Sequence, residues 1–481
     1  MKNPKGTLQH TDLIPELLAP AGDFECLQAA LHFGADAVYF AGKQFSLRAG
    51  AGNFTPDGLK KAVALCHSKG KKSYVACNIF AHNRDFAELP DYLKFLQSIS
   101  VDALIISDPG VFVLAKKFAP NIPIHLSTQA NTTNRYSAAF WAEQGIKRIV
   151  LSRELTLPEI REIRDALPPS VELEAFVHGA MCVAYSGRCL LSAVLAGRSG
   201  NRGECAQSCR WEYESCQGDG GILTTFDSCQ KTCVSVEGGQ GTSVPLTTWQ
   251  YEIREKSRKG EYMAVEGDAR GSYILNSKDM NLLMHFDKLC AAGITCFKIE
   301  GRSKGAYYVA NTVNAYRRAI DLFSRSENKS SEELGIRSEE LRMLDAELFK
   351  SAHRKYFTGF YFNEPNCPTP TGSSNPEPRI PNPEPTINSE SSVPIQNRQF
   401  VALVTGEKDG LIEIEQRNRF RAGDALEVLS PDENFNKTFL VDALFDADGN
   451  PVADAKLVQQ KLFLKTGLKL KRGDMLRIAN R

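Results

Sequence analysis

The sequence predicts an α/β protein: a closed, TIM-like (β/α)8 barrel followed by a small all-β barrel domain. Eight short apolar runs recur in residues 15–302, helical periods separate most of them, and short alternating strands return after a proline-rich segment. Strands that alternate with helices pair in parallel through right-handed crossovers, and eight such units in about 290 residues can close a barrel. An open doubly wound sheet is the alternative.

Each candidate strand is rich in β-branched or aromatic residues and is followed by a polar or glycine-containing turn. The eight runs are 15–21, 36–42, 73–78, 103–108, 124–129, 148–154, 172–179 and 296–302. Phe24, Leu27 and Leu31 recur at helical spacing after the first run. Pro158 suits the first turn of a helix after the sixth.

The seventh unit is abnormal, because residues 180–295 separate its strand from the eighth. An excursion of that length exceeds an ordinary crossover, and the carboxyl end of a barrel strand is where function is normally built. Within it, residues 217–250 are rich in Gly, Ser and Thr, which predicts a flexible insert. Cys229 and Cys233 in that insert are interpreted as incidental thiols, because such a loop offers little preorganisation.

Composition predicts the remaining organisation of the chain. Residues 1–14 form an N-terminal tail and residues 15–362 the barrel domain. Residues 363–397 are rich in Pro and Ser and cannot bury enough apolar surface to order themselves, so they are a linker. Residues 398–481 alternate in short strands with turns such as Asp409-Gly410, which predicts the small β-barrel domain.

Charge and hydropathy restrict the function classes. With 58 basic and 57 acidic residues the net charge is +1, so contacts with a polyanion must come from local patches. Two basic runs are candidates for phosphate contacts: Lys69, Lys71 and Lys72, and Lys465, Lys469, Lys471 and Arg472. No run approaches the roughly 20 apolar residues of a membrane span, and 13 scattered cysteines do not resemble a secreted framework. We expect a cytoplasmic protein without membrane contact.

Four cysteines follow the seventh strand with the spacing C-x6-C-x15-C-x3-C: Cys182, Cys189, Cys205 and Cys209. Soft thiolate ligands suit zinc or an iron–sulfur cluster. Zinc prefers two close pairs, and only the last two cysteines are close, so the spacing favours a 4Fe–4S cluster over zinc or buried core thiols.

Polar side chains at the carboxyl ends of the eight runs predict a site on that face of the barrel. They include Asn78, Asp108, Gln129, Arg153, Glu154, His178, Lys298, Glu300 and Arg302. His178, Glu154, Glu300 and Asp108 are candidate acid–base groups, and the others are candidate substrate contacts, with Arg153 and Arg302 presenting planar forks to an anion. Each could equally be a cap or turn former.

A peptidase is the harder hypothesis to support. The chain has no H-E-x-x-H pair and no G-x-S-x-G elbow. A Cys–His nucleophile made of Cys182 and His178 stays open, although Cys182 belongs to the metal-like spacing.

Several motifs resemble the collagenase-like peptidase family of unassigned catalytic type. The signature is EAFVHGAMCVAYSGRC at 174–189 continued by GECAQSCRWEY at 203–213. Further matches are ELLAPAG at 16–22, HLSTQA at 125–130, LSREL at 151–155 and KIEGR at 298–302. The resemblance covers nearly all of residues 15–362 and, more loosely, the C-terminal domain.

The resemblance implies a tRNA-modifying hydroxylase rather than a protease. Members of this kind make 5-hydroxyuridine at the wobble position of tRNA without molecular oxygen, in a reaction that depends on prephenate. The four cysteines would then hold a 4Fe–4S cluster, which would receive its electrons from a donor. Arg153 and Arg302 would bind prephenate, a dicarboxylate. The target base lies in the single-stranded anticodon loop, where Trp211 and Tyr213 are candidates for stacking on it. An RNA-binding accessory factor with a structural metal site is a further alternative.

Overall fold

Eight parallel strands close into a barrel in the computed structural model, which describes residues 14–47, 52–181, 249–253, 263–268, 271–273, 278–324, 331–362 and 395–480. The barrel strands are β1 (Glu16–Pro20), β2 (Ala37–Phe40), β3 (Lys72–Cys77), β4 (Ala103–Ile106), β5 (Ile124–Leu126), β6 (Arg148–Val150), β7 (Glu172–Ala180) and β12 (Cys296–Ile299). Strand β12 pairs with both β1 and β7, so Phe297 has Leu17 on one side and Ala175 on the other. The closed barrel is confirmed, and the open sheet is excluded.

Helices cover the outside of the barrel, and polar caps and prolines fix where several of them begin. They are α1 (Phe24–His32), α2 (Pro56–Ser68), α3 (Leu89–Ser98), α4 (Pro109–Phe118), α5 (Arg135–Glu143), α6 (Leu157–Ala166), α7 (Phe286–Ala291), α8 (Ala306–Ser324) and α9 (Ser331–Leu348). Thr156 and Glu159 form a reciprocal capping box at α6, whose first turn contains Pro158 as expected.

The return from the seventh unit is built of short strands. Strands β8 (Trp249–Ile253), β9 (Met263–Asp268) and β10 (Gly271–Tyr273) form an antiparallel sheet. Strand β11 (Asp279–Asn281) then pairs antiparallel with the end of β7, and β13 (Tyr356–Phe357) pairs with β11. The predicted flexible insert lies outside the described residues except for its last two, with which β8 begins.

The C-terminal part is all β, as predicted. Its strands are β14 (Arg398–Lys408), β15 (Leu411–Gln416), β16 (Phe420–Arg421), β17 (Ala425–Leu429), β18 (Thr438–Leu440), β19 (Leu444–Phe445), β20 (Asp454–Ala455), β21 (Lys461–Leu464) and β22 (Met475–Ala479). Seven form one antiparallel sheet that ends at β18 and β19, so the domain is a half-barrel rather than a closed barrel. Asp409 and Gly410 both have positive φ, the geometry of a tight hairpin turn between β14 and β15.

Buried ion pairs fix the C-terminal domain against the barrel. Arg477 of β22 is fully buried and pairs with Glu347 of α9 at 2.5 Å and with Glu427 of its own domain at 2.6 Å. His32 at the end of α1 lies 3.1 Å from the Asp474 carboxylate. The two parts therefore meet along α1 and α9. None of the described helices is long and apolar enough to cross a bilayer.

Candidate active site

A cavity opens at the carboxyl ends of the barrel strands and encloses about 510 Å³ of free space, its open mouth included. Six of the predicted site residues line it: Asn78, Gln129, Arg153, Lys298, Glu300 and Arg302. They come together because the carboxyl ends of parallel barrel strands share one face. This face is where barrel enzymes bind their substrates, and the lining supplies both charged and aromatic side chains.

Arg153 joins three strand ends through one guanidinium group. Its Nη2 lies 3.0 Å from Glu300 Oε2, and its Nη1 donates to the carbonyl oxygen of Ala180 at 2.7 Å. The guanidinium carbon lies 3.9 Å from the centre of the Phe176 ring. Both terminal nitrogens are thus occupied, so Arg153 positions the end of β7 and the Glu300 carboxylate rather than presenting an open fork.

Lys298 forms a cationic floor to the cavity. Its Nζ lies 2.7 Å from Glu174 Oε1 and 4.4 Å from the centre of the Tyr39 ring. Glu174 is fully buried and also faces Arg148 at 3.3 Å. Burial alone would raise the pKa of Glu174, but Lys298 and Arg148 outweigh it and hold the pKa below its ordinary value. The ionised carboxylate therefore has cations on both sides.

The charged stack continues through the barrel toward its amino-terminal face. Arg148 Nη1 lies 2.7 Å from Glu16 Oε1, and Lys72 Nζ lies 2.8 Å from Oε2 of the same carboxylate. Burial opposes ionisation of Glu16, yet Arg148 and Lys72 lower its pKa to about 2. The nearby His125 is buried, and burial with the charge of Arg148 lowers its pKa to about 3, so the imidazole is neutral at physiological pH.

Asn78 and Gln129 differ in how their amides are used. Asn78 Oδ1 accepts from the backbone N–H of Leu47, and its Nδ2 donates to Ser127 Oγ, both at 3.3 Å. Gln129 Oε1, by contrast, is buried and has no hydrogen-bond partner in the described part of the chain. Asn78 ties neighbouring loops together, whereas Gln129 offers an acceptor to a ligand.

The sequence reasoning missed two aromatic walls of this cavity, Tyr39 and Phe176. Both occupy inward positions on barrel strands, between residues whose side chains pack outside. Strand alternation was the signal that could have identified them.

Three predicted acid–base residues do not line the cavity. Asp108 caps α4, where its Oδ1 accepts from Val111 N at 3.0 Å. Glu154 is half-buried beside Arg153 without reaching the lining. His178 is fully buried with Tyr316 Oη 3.4 Å from its Nδ1, and burial lowers its pKa to about 3. Their catalytic roles stay predictions, and among the four acid–base candidates the geometry favours Glu300.

The predicted cluster ligands Cys182, Cys189, Cys205 and Cys209, and the stacking candidates Trp211 and Tyr213, lie outside the described residues. The described range 52–181 ends at Met181, directly before Cys182, and Arg153 binds the carbonyl of Ala180 beside the cavity. Across the described ranges, no group of three or more His, Cys, Asp or Glu side chains could hold a metal ion. The four thiols that follow this point in the sequence stay the predicted cluster ligands.

Two family models match the chain, one over the barrel domain and one over the all-β domain. The model of peptidase family U32 matches residues 22–369, and that of the peptidase family U32 C-terminal domain matches residues 396–477. The chain therefore belongs to peptidase family U32, which confirms the resemblance seen in its motifs.

Its relatives carry two kinds of name. The chain is 38% identical to tRNA hydroxylation protein P of Escherichia coli, with 88% of each chain covered. It is 34% identical to tRNA hydroxylation protein P1 of Bacillus subtilis, with 96% of this chain and 94% of the relative covered. It is also 30% identical to a collagenase of Porphyromonas gingivalis, over 73% of this chain and 74% of the relative.

Proposed function

We propose that this protein is a tRNA-modifying hydroxylase that converts the wobble uridine to 5-hydroxyuridine. Similarity to tRNA hydroxylation proteins over nearly the whole length supports the reaction class. The structural observation that carries the proposal is the cavity, which joins a cationic floor at Lys298 to an unpartnered acceptor at Gln129. Such an enzyme would act in the cytoplasm, where its tRNA substrate is.

The cavity has the features needed for an extruded pyrimidine. A base in an anticodon loop is single-stranded and can be splayed into a pocket at little cost. The Arg153 guanidinium, stacked on Phe176, is a planar surface against which a base can lie. Gln129 Oε1 would accept the N3–H of uracil, which gives the acceptor the partner that it lacks among the described residues.

Prephenate is the proposed co-substrate, and its two carboxylates need cations. Lys298 has three ammonium hydrogens and uses one toward Glu174, so the others are available to an anion at the floor. Arg302 lines the same cavity and is buried, which strengthens its attraction for a carboxylate. We assign the anion to these two residues because both bring a positive charge into the lining of the cavity.

A 4Fe–4S cluster is the proposed cofactor, with Cys182, Cys189, Cys205 and Cys209 as its ligands. When bound, such a cluster exchanges single electrons, which an external donor protein would supply. Arg153 contributes by fixing the carbonyl of Ala180 two residues before the first thiol, so the ligand segment starts from a rigid point beside the cavity.

A peptidase receives less support from the described residues. The only evident base near Cys182 in sequence is His178, and its imidazole is fully buried against Tyr316 rather than turned into the cavity. A general base must reach the proton that it abstracts. Peptidase activity, which the name of the Porphyromonas gingivalis relative suggests, is the alternative function that a peptide-cleavage assay tests.

Nucleoside mass spectrometry of tRNA from a deletion strain tests the proposal. Complementation with the wild type should restore 5-hydroxyuridine, and Cys182→Ala should not. Cys290→Ala is the matched control, since Cys290 is a partly buried thiol on α7 and should leave modification intact. Unchanged tRNA nucleosides in the deletion strain would refute the function, whereas full activity of Cys182→Ala would refute the cluster assignment alone.

A further inference from the structure

A second cavity lies in the cleft between the two domains. It encloses about 830 Å³ of free space, its open mouth included. One wall is a face of α1 with the end of α2, and the other is β14 with the turn before β22. Lys69 and Arg472, one from each basic run of the sequence, stand on these opposite walls. Residues about 400 positions apart are thus brought to one site.

The charges of these two residues are available, whereas those of their neighbours are not. Lys71 pairs with Asp36 at 3.3 Å, Lys72 with Glu16 at 2.8 Å and Lys471 with Asp432 at 2.6 Å. Within the described ranges, no carboxylate lies within ion-pairing distance of Lys69 or Arg472. The cleft therefore holds two exposed cations without counter-charges.

The acidic groups beside the cleft are already held by hydrogen-bond donors of the protein. Glu25 is bound by Arg417 at 2.9 Å. Asp474 is buried, lies 3.1 Å from His32 Nε2 and accepts the backbone N–H of Lys471 at 2.8 Å. Asp474 is buried whereas Lys69 and Arg472 are exposed, so these two cations are the charges that an anion entering the cleft can reach.

Interdomain contacts hold the walls at a fixed separation. Gly473 has a φ of +101°, and a Cβ there would lie 2.9 Å from the ring of His32, so the turn carrying Arg472 presses directly onto α1. Thr405 Oγ1, inside the cleft, is buried and has no hydrogen-bond partner among the described residues. A preformed cleft with two cations and a spare hydroxyl matches the needs of a phosphate group.

We propose that this cleft binds the phosphodiester backbone of the RNA substrate, at a distance from the base that reacts. The inference rests on the proposed function for its choice of RNA over free phosphate. Helix α1 follows β1 and helix α2 follows β2, so both helices run back to the amino-terminal face of the barrel. Lys69 lies at the end of α2. The cleft therefore holds a part of the RNA other than the nucleotide in the barrel cavity.

Equilibrium binding of unmodified tRNA across a salt series tests the cleft. The double variant Lys69→Gln/Arg472→Gln should bind about tenfold more weakly at about 0.1 M salt, and the slope of log K against log salt should fall by about 2. Turnover at saturating tRNA should stay unchanged. Lys61→Gln/Lys456→Gln is the matched control, because both lysines are exposed and neither lines the cleft.

Three other outcomes overturn the inference, and they are distinguishable. If the double variant matches the control in affinity and salt slope while the wild type binds and modifies tRNA, the cleft does not bind the RNA backbone and the proposed function stands. If inorganic phosphate binds the wild type but not the double variant, with tRNA affinity equal in both, the ligand is a small phosphate. If the wild type binds no tRNA at any salt concentration, the proposed function fails as well.

Discussion

The Arg153 guanidinium lies 3.0 Å from the Glu300 carboxylate, and this pair joins the end of β6 to the end of β12 across the mouth of the barrel. The same guanidinium holds Ala180 at the end of β7. Three strand ends around the candidate site thus depend on one planar group, which a point charge cannot replace.

Arg153→Lys should therefore lower hydroxylation by more than about tenfold, because an ammonium cannot bind Glu300 and Ala180 in the same plane. Its free energy of unfolding should fall by about 1–3 kcal/mol. The measurements are tRNA nucleoside analysis and urea unfolding. Arg135→Lys, at a fully exposed arginine, is the control, and equal behaviour of the two variants would contradict the positioning role.

Gly179→Ala should displace the backbone of Glu300, the residue that Arg153 binds. Gly179 has a φ of +107°, and an added Cβ would lie 2.7 Å from the carbonyl oxygen of Glu300. We expect a loss of about 2 kcal/mol or more in unfolding free energy together with reduced hydroxylation. Gly305→Ala meets no atom within 4 Å and should preserve both quantities. A stable and active Gly179→Ala would show that Glu300 tolerates displacement.

Gln129→Leu should separate activity from stability. Since Gln129 Oε1 has no hydrogen-bond partner in the described chain, its removal breaks no internal bond, and unfolding free energy should change by less than about 1 kcal/mol. Hydroxylation should fall about 100-fold if the amide reads the base. Gln144→Leu, at an exposed glutamine, is the control. Retained activity in Gln129→Leu would remove this residue from base recognition.

Glu16 should make stability depend on acid pH. Its pKa falls from an ordinary 4.5 to about 2 in the folded protein. Because the pKa of Glu16 is lower in the folded than in the unfolded protein, its ionised carboxylate stabilises the folded state fully above pH 4.5. This contribution, about 3 kcal/mol, is lost as the pH falls from 4.5 to 2. The stability difference between wild type and Glu16→Gln, from urea unfolding at pH 7 and pH 3, should shrink on acidification. With Glu143→Gln at an exposed site, the difference should stay small at both values.

Arg477→Met should weaken the contact between the domains. The substitution removes the fully buried cation between Glu347 and Glu427 and leaves Lys350, 2.8 Å and 2.7 Å from them, as the cation that they share. We expect a cost of about 1–3 kcal/mol. Urea unfolding and limited proteolysis measure the effect. Arg421→Met, whose side chain is half exposed, should cost little. Adding Glu427→Gln to Arg477→Met should recover part of the loss, because Lys350 then balances Glu347 alone, and no recovery would argue against charge as the cause.

The barrel was predictable because apolar runs and helical periods alternate, and each predicted run overlaps one barrel strand, with β3 and β7 each extending one residue beyond their runs. Convergence of Gln129, Lys298 and Glu300 followed from parallel pairing alone. His178 did not, because alternation places it inside the barrel with Glu174 and Phe176. The pairing of β7 with β12 contains an irregularity that adds one residue to β7 before His178, and the added residue turns its side chain toward α8. A bulge of this kind leaves no mark in single-sequence periodicity.

Asp108 shows a different limit of sequence reasoning. A carboxylate after a strand and before Pro109 satisfies both a catalytic rim position and a helix N-cap, and only the contact with Val111 distinguishes them. The interdomain cleft was equally out of reach, since which lysines are already paired is decided by carboxylates distant in the chain, such as Asp36 and Asp432.

Closure of the barrel through β12 has a consequence for synthesis on the ribosome. Glu16 of β1 pairs with Cys296 of β12, so β1 cannot complete its pairing until a strand 280 residues later has been synthesised. At typical elongation rates, residues 180–295 alone take about 10 s to appear, during which the edges of β1 and β7 have no partner. Nascent chains are thus exposed to edge-to-edge association until β12 is synthesised, and the four cysteines leave the ribosome before the barrel cavity can form.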